Sequence, residues 1–230
     1  MMIRREFLRR GVATVAGISA AAAGVPGALA AGRSPRMPLE SFSLDVVTDR
    51  PAEAVSALGS FLADNRLSAG TVKVEMHPLV GRHVGDVVYV ADTSLIDFRV
   101  RDGRVEQFLR SLAREYELPR QMVDPTIVRF SAGATGKASE VQLFAGDLML
   151  AREQLRSGGF ERTVSSANGE VTVKADDSGV RIIKASCKHQ TCVKAGAIHR
   201  AGESLVCIPG RIRVVLSGQP SPDADFILSQ

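Results

Sequence analysis

The second half of the chain is a series of short runs of β-forming residues separated by tight-turn residues. From Glu140 onward the runs are V-Q-L-F-A, L-M-L-A-R-E, V-T-V-K-A and V-R-I-I-K, and the turns between them contain Gly146-Asp147, Asn168-Gly169 and Asp177-Ser178-Gly179. Asn-Gly and Asp-Ser-Gly tolerate the positive φ that tight hairpins require. Two more β-prone runs follow at 204–208 and 211–216. Many short strands joined by close turns predict a small antiparallel β-barrel or sandwich over residues 138–218.

The first half of the chain mixes strand and helix patterns. We expect strands at 42–47, 71–76, 86–90 and 95–100, where β-forming residues cluster or alternate with polar ones. Apolar residues at helical spacing predict a helix that begins near Pro51 and ends near Gly70, and a second helix over 104–116.

These patterns predict the α+β class for the whole protein. Residues 41–132 are expected to form an α/β sandwich with the helices on one face of a sheet, and a ferredoxin-like arrangement is compatible with the element order. The small β domain over 138–218 follows, and Gly133–Ser139 is interpreted as the hinge between the two domains. Residues 31–40 are predicted to be a linker and residues 219–230 a tail.

The N-terminus resembles a twin-arginine export signal. The paired Arg4 and Arg5 are followed by Phe7 and Leu8, and then by a moderately apolar run. The resemblance implies export by the twin-arginine translocase, which carries folded proteins, many of them loaded with a cofactor. The expected location is the periplasm or another extracytoplasmic compartment, where disulfides persist.

The apolar run from Gly11 ends in a predicted cleavage site. Ala28 and Ala30 are small residues at the positions that signal peptidase requires, so residues 1–30 are expected to be removed. A retained membrane anchor is the alternative. The many Ala and Gly residues and Pro26 make it less favourable, so no permanent membrane span is expected after cleavage.

Charge argues against a nucleic-acid partner. The formal net charge of +4 includes four arginines of the export signal, and without them the chain is close to neutral. A nucleic-acid-binding domain is expected to carry a basic face instead. Trp is absent, so an aromatic platform for stacking bases is also poorly supported.

All three cysteines fall in one short segment, 187–211, together with His189 and His199. The default interpretation in an oxidising compartment is a structural disulfide between two of Cys187, Cys192 and Cys207. That interpretation leaves one thiol unpaired. The alternative is a metal site made of Cys187, His189, Cys192 and Cys207, whose soft ligands suit zinc or copper(I).

Two further ligand patterns in the sequence are weaker. Cys187-x-His189 has the spacing of the first box of a Rieske iron–sulfur protein, but the second box would need a histidine where Gly210 stands. His77 and His83 flank a turn at a spacing that would allow a shared metal, but no third ligand lies near in the sequence. They are therefore interpreted as surface-loop histidines.

The second half also resembles NusG domain II, the β-rich domain that is inserted in some bacterial transcription factors and occurs alone in secreted proteins. The resemblance covers roughly Glu140 to Gly218 and is carried by N-G-E-V-T-V, G-V-R-I-I, C-K-H-Q-T-C-V-K-A-G-A-I and L-V-C-I-P-G-R-I-R-V. The chain departs from the usual pattern at Ala197, Ile208 and Gly210. The resemblance implies a fold and an extracytoplasmic setting, but no specific activity.

The sequence therefore predicts an exported accessory or interaction protein of the cell envelope that works with an envelope protein partner. No catalytic triad, metal-binding helix or cofactor loop supports an enzyme. The alternative is a periplasmic redox or metal-binding electron-transfer accessory protein that uses the cysteine segment. No cofactor is assigned, with a metal ion or an iron–sulfur cluster as the minority interpretation.

Overall fold

The computed structural model of the protein describes residues 41–65, 72–133, 137–156 and 158–218. The predicted signal segment 1–30, the linker 31–40, the tail 219–230 and the expected helix end near Gly70 lie outside the described residues. Within those residues, no helix is both long and apolar enough to cross a membrane.

The first half contains seven strands and two helices among its described residues. In chain order they are β1 (Phe42–Thr48), α1 (Pro51–Asn65), β2 (Lys73–Pro78), β3 (Arg82–Gly85), β4 (Val87–Ala91), β5 (Ser94–Ile96), α2 (Arg104–Glu115), β6 (Arg120–Val123) and β7 (Thr126–Ala132). The two predicted helices are confirmed. The expected strand at 95–100 is wrong beyond Ile96, because the Asp97 carboxylate accepts a hydrogen bond from the Arg99 backbone N–H and closes a turn.

Five of these strands form one antiparallel sheet in the order β2-β7-β1-β4-β5. The strand order differs from the ferredoxin-like alternative, in which the second and third main strands are neighbours. Here β2 and β4 are separated by β7 and β1. The reason is that the chain between them does not turn tightly but leaves the sheet through β3, which pairs with β6 as a separate two-stranded ribbon.

The two helices cover one face of this sheet. Alternate residues of the central strands, such as Leu44 of β1 and Phe130 of β7, point to that face and are almost fully buried. They pack with Leu58 of α1 and with Leu109 and Leu112 of α2 in one hydrophobic core. The period of two along a strand and the helical spacing of the leucines account for this layer.

The second half forms two smaller antiparallel sheets. Its elements are β8 (Glu140–Ala145), β9 (Leu148–Gln154), β10 (Phe160–Ser166), β11 (Gly169–Asp176), β12 (Gly179–Ala185), α3 (Thr191–Lys194), β13 (Ser204–Cys207) and β14 (Ile212–Ser217). The four-stranded sheet has the order β13-β14-β8-β9 and the three-stranded sheet the order β10-β11-β12. Gly146, Gly169 and Gly179 have positive φ at the expected hairpin turns.

The two smaller sheets share one hydrophobic core, with Leu143 and Val214 from the first and Val173 and Ile182 from the second. None of the sheets in the described ranges closes on itself. The barrel form of the prediction is therefore not observed, and the arrangement is compatible with the sandwich form.

The second core extends onto the face of the large sheet that the helices leave free. Val47 of β1 and Ile127 of β7 are paired across the large sheet, and both belong to the core of the second half, as does Leu79. The central strands of the large sheet are therefore covered on both faces. This contact brings the cysteine segment against β1 and β7.

Candidate functional site

The three cysteines converge at the contact between the large sheet and the smaller ones. Cys187 follows β12, Cys192 is the second residue of α3, and Cys207 ends β13. Their Sγ atoms all lie within 4.8 Å of one another, and all three cysteines are free. Cys192 and Cys207 are buried, whereas Cys187 is half-buried. We call this group the three-cysteine site.

Two of the sulfurs are held by backbone N–H groups of tight turns. The N–H of Gln190 donates a hydrogen bond to Cys187, and the N–H of Gly210 donates one to Cys207. Gln190 has a left-handed backbone with φ 49, which turns the chain into α3 and thereby brings Cys192 toward the other two sulfurs. Backbone N–H donors of this kind stabilise negative charge on sulfur.

The three thiols differ in acidity. The hydrogen bond from the Cys192 thiol, together with the Gly210 N–H, lowers the pKa of Cys207 to about 6. The same hydrogen bond and burial raise the pKa of Cys192, and burial together with nearby Cys207 raises the pKa of Cys187. Cys207 is therefore the most readily ionised of the three thiols.

A cleft opens beside the sulfurs, between β1, β3 and β4 on one side and the cysteine segment on the other. Its volume is about 320 Å³, and all three cysteines line it. Apolar side chains form most of the remaining wall: Val47, Val84, Val88, Ile127, Val206 and Ile208. We call this space the cysteine cleft.

The acidic side chains on the wall of the cleft are engaged within the protein. Asp45 accepts hydrogen bonds on both carboxylate oxygens from Arg129, at 2.8 Å each. Asp86 pairs with Arg99 and also accepts a hydrogen bond from the Val87 backbone N–H. The cleft therefore presents sulfur and apolar surface more than free hydrogen-bonding groups.

His189 lies at the cleft but is not part of the group of three sulfurs. Its Nδ1 donates to the Arg82 carbonyl at 2.9 Å, so the ring is fixed toward β3. The structure brings together three of the four residues of the predicted Cys₃His set and directs the fourth elsewhere. His199 is also apart from the sulfurs, with its backbone N–H on the Glu203 carboxylate and its ring close to Gly179.

The interpretation of His77 and His83 as surface-loop histidines is wrong, and neither joins the metal-ligand group. The side chain of His83 is buried, with Nδ1 at 3.0 Å from the Thr191 hydroxyl and Nε2 at 3.1 Å from the Val80 carbonyl. The ring of His77 packs against Gly196 in the cysteine segment. Burial lowers the pKa of both histidines. They contribute to the contact between the halves.

The ion pair behind the cleft was not predicted from the sequence. Arg129 of β7 is fully buried and lies directly opposite Asp45 of β1 in the sheet register. It also donates to the Ala195 carbonyl at 3.2 Å, which ties the cysteine segment to the large sheet. The available signal was a charged residue in the middle of each β-run, Asp45 in F-S-L-D-V-V and Arg129 in T-I-V-R-F-S-A.

The three cysteines and the residues that hold their sulfurs lie within one region that matches a known family model. The family model of NusG domain II matches residues 125–220. The matched region is wider than the resemblance over 140–218, because it begins next to β7, an interior strand of the large sheet. The matched region therefore includes Arg129 and all three cysteines.

Two solved structures resemble the chain, both of the Lin0431 protein from Listeria innocua. Its crystal structure is 18% identical, covers 36% of this chain and 99% of its own, and gives a TM-score of 0.34. Its solution NMR structure is 21% identical, covers 42% of this chain and 90% of its own, and gives a TM-score of 0.33. No match was found among curated proteins.

Proposed function

We propose that the protein is an exported, non-enzymatic accessory protein of the cell envelope whose NusG domain II region, a small β-sandwich, binds a soft metal ion, zinc or copper(I). Cys187, Cys192 and Cys207 are the proposed ligands. The observation that carries the proposal is the convergence of three cysteine sulfurs within 4.8 Å of one another. Sulfurs bound to one ion at about 2.3 Å lie about 4 Å apart, which this arrangement can meet with small side-chain movements.

The surroundings of the sulfurs support a bound cation. Cysteine thiols must lose their protons to bind a metal ion. The N–H donors of Gln190 and Gly210 favour the charged sulfurs that a cation would hold. A twin-arginine signal fits the same proposal, because that route exports folded proteins and so allows the metal to be inserted before the thiols meet an oxidising compartment. The near-neutral charge of the mature chain suits an envelope protein partner rather than a nucleic acid.

A disulfide-pinned interaction module is the second candidate. The same proximity of the sulfurs favours it, because a disulfide between any two of them would need only local movement. Such a bond would stabilise the β domain by about 2–4 kcal/mol in an oxidising compartment. It would leave one free thiol beside the cleft.

Metal analysis and thiol counting on the purified full chain separate the two candidates. The metal site predicts one ion per chain and three reactive thiols after chelation and denaturation. The disulfide predicts no metal and one reactive thiol. Cys187→Ser should lose the metal, whereas His189→Ala should keep it, because His189 is directed to the Arg82 carbonyl. A metal-free wild-type chain after growth in zinc and copper would overturn the metal proposal.

The export part of the proposal has its own test. Arg4→Lys with Arg5→Lys should leave unprocessed precursor in the cytoplasm, because lysine keeps the charge but lacks the guanidinium group. Arg9→Lys with Arg10→Lys is the matched control and should be exported normally. Cell fractionation measures how much of each double variant is exported. Equal export of the two would argue for another route.

A further inference from the structure

We propose that the cysteine cleft binds the side chain of a methionine from a partner protein, and that its thioether sulfur becomes a further ligand of the metal ion. This inference rests on the proposed function, since it needs a metal at the three-cysteine site. It assigns a chemical class to the partner, namely a segment that presents an exposed methionine.

The cysteine cleft lies where it can give an incoming group access to the sulfurs. All three cysteines line it, so a group that enters the cleft reaches the side of the sulfurs that the protein leaves uncovered. Metal sites with three protein ligands commonly keep another position for an incoming ligand. Cys187 is half-buried, and Val84 and Ile208 at the wall are 39% and 41% exposed, so an incoming side chain has a path from solvent.

The size of the cleft limits what can enter it. Its volume of about 320 Å³ is at the lower end of the range for ligand pockets, about 300–1,000 Å³. This space has room for one long, unbranched side chain together with part of the segment that carries it, and it is small for a large cofactor. A methionine side chain is flexible and polarizable, and it fills irregular apolar spaces.

The wall of the cleft is mostly apolar. Valine and isoleucine side chains form much of the wall, and Asp45 and Asp86 are already paired with arginines. Of the other polar lining residues, His189 and Thr191 are hydrogen-bonded within the protein, and Lys188 adds one cationic side chain. A ligand that needs many hydrogen bonds would lose more to desolvation than this wall returns. The apolar body of methionine suits it.

The negative charge of a three-thiolate copper(I) site favours a neutral sulfur as the fourth ligand. Three thiolates with one copper(I) ion carry two net negative charges, so a fourth thiolate would add another in an apolar cleft. An added anion would be costly there, whereas a thioether is neutral. Thioether and thiolate sulfur together are soft ligands that favour copper(I).

The test compares two ligands that differ by one atom. The copper(I)-loaded full chain is titrated by calorimetry under anaerobic conditions with N-acetyl-methionine methylamide and with its norleucine analogue, in which CH₂ replaces sulfur. We expect the methionine ligand to bind about tenfold more tightly or better, which corresponds to about 1.4 kcal/mol. The metal-free chain should not distinguish the two ligands.

Two valine variants complete the test. Val84→Phe narrows the cleft and should weaken methionine binding while copper stoichiometry stays at the wild-type value. Val100→Phe is the matched control at a residue that is 76% exposed, and it should bind like wild type. Equal affinity for methionine and norleucine in the copper-loaded chain, or equal behaviour of the two variants, would overturn the inference alone. Absence of copper binding would overturn it together with the proposed function, and the stoichiometry distinguishes these failures.

Discussion

At the residue scale, Arg129 pairs with Asp45 within the large sheet and also donates to the Ala195 carbonyl of the cysteine segment. Arg129 is fully buried, so loss of its partner leaves a charge away from water. Asp45→Asn should lower the free energy of unfolding by about 3–5 kcal/mol in urea denaturation. Asp49→Asn is the control, because the Asp49–Arg120 pair is exposed and should contribute less than about 1 kcal/mol. Equal losses in the two variants would contradict a structural role for the buried pair.

Glu203 gives a residue-scale prediction on pH. Burial opposes its ionisation, but hydrogen bonds from the backbone N–H groups of His199 and Arg200 and from Lys73 outweigh that effect and lower its pKa. A carboxylate whose pKa is lower in the folded state stabilises the fold above its unfolded pKa, about 4.3. This stabilisation is lost as the pH falls through the folded pKa.

Glu203→Gln should therefore be less stable than wild type at pH 7, and the difference should shrink as the pH falls below about 4. Urea denaturation of both proteins across this range measures the effect. Glu53→Gln, at an exposed position of α1, is the control and should show a much smaller difference. A difference for Glu203→Gln that is constant with pH would mean that the carboxylate charge is not the cause.

At the element scale, helices and hairpins were predictable from the sequence wherever the residue pattern was regular. The two helices and the hairpins at Asn168-Gly169 and Asp177-Gly179 were predictable, because helical spacing and turn residues act locally. The short strands β3 and β6 were not predicted, since R-H-V-G and R-Q-M-V have no clear alternation and are strands only because they pair with each other. Strand order was also beyond the sequence, because it depends on long-range pairing.

The contact between β2 and the loop after α3 carries the next prediction. Gly196 has φ +79, and a Cβ there would lie 2.8 Å from Cε1 of His77. Gly81 has φ +93 with nothing within 4 Å of the same position. Gly196→Ala and Gly81→Ala share the cost of a left-handed backbone, about 1–2 kcal/mol, but only the first adds a clash.

Gly196→Ala should therefore destabilise the protein by about 1–3 kcal/mol more than Gly81→Ala. Urea denaturation of the two variants side by side measures the difference. If both variants lose the same stability, the close approach of β2 to the cysteine segment does not contribute to the fold.

At the scale of the whole molecule, the two halves are more closely joined than a linear series of domains would suggest. The three cysteines could be recognised from sequence as one group, but the cleft beside them could not, since part of its wall comes from distant residues of β1, β3 and β4. The family match likewise begins next to β7, which is central to the sheet of the first half. The predicted boundary at 132–138 stays a prediction.

This joining predicts a single unfolding transition for the described body of the protein. Val47, Leu79 and Ile127 come from the first half but belong to the second core, so unfolding of either half would expose apolar surface of the other. The chain provides a natural probe for each core. Its two tyrosines, Tyr89 and Tyr116, are buried in the first core, and no tryptophan interferes with their fluorescence.

The second probe is the alkylation of Cys192 and Cys207, which are buried in the second core. In the reduced, metal-free chain, tyrosine fluorescence and thiol accessibility should change at the same urea concentration and with the same steepness, because residues of the first half form part of the second core. Asp45→Asn, which breaks the buried ion pair with Arg129 beside the contact between the halves, should move both transitions together to lower urea. Two separated transitions in wild type would show that the halves are independent folding units joined by a weak contact.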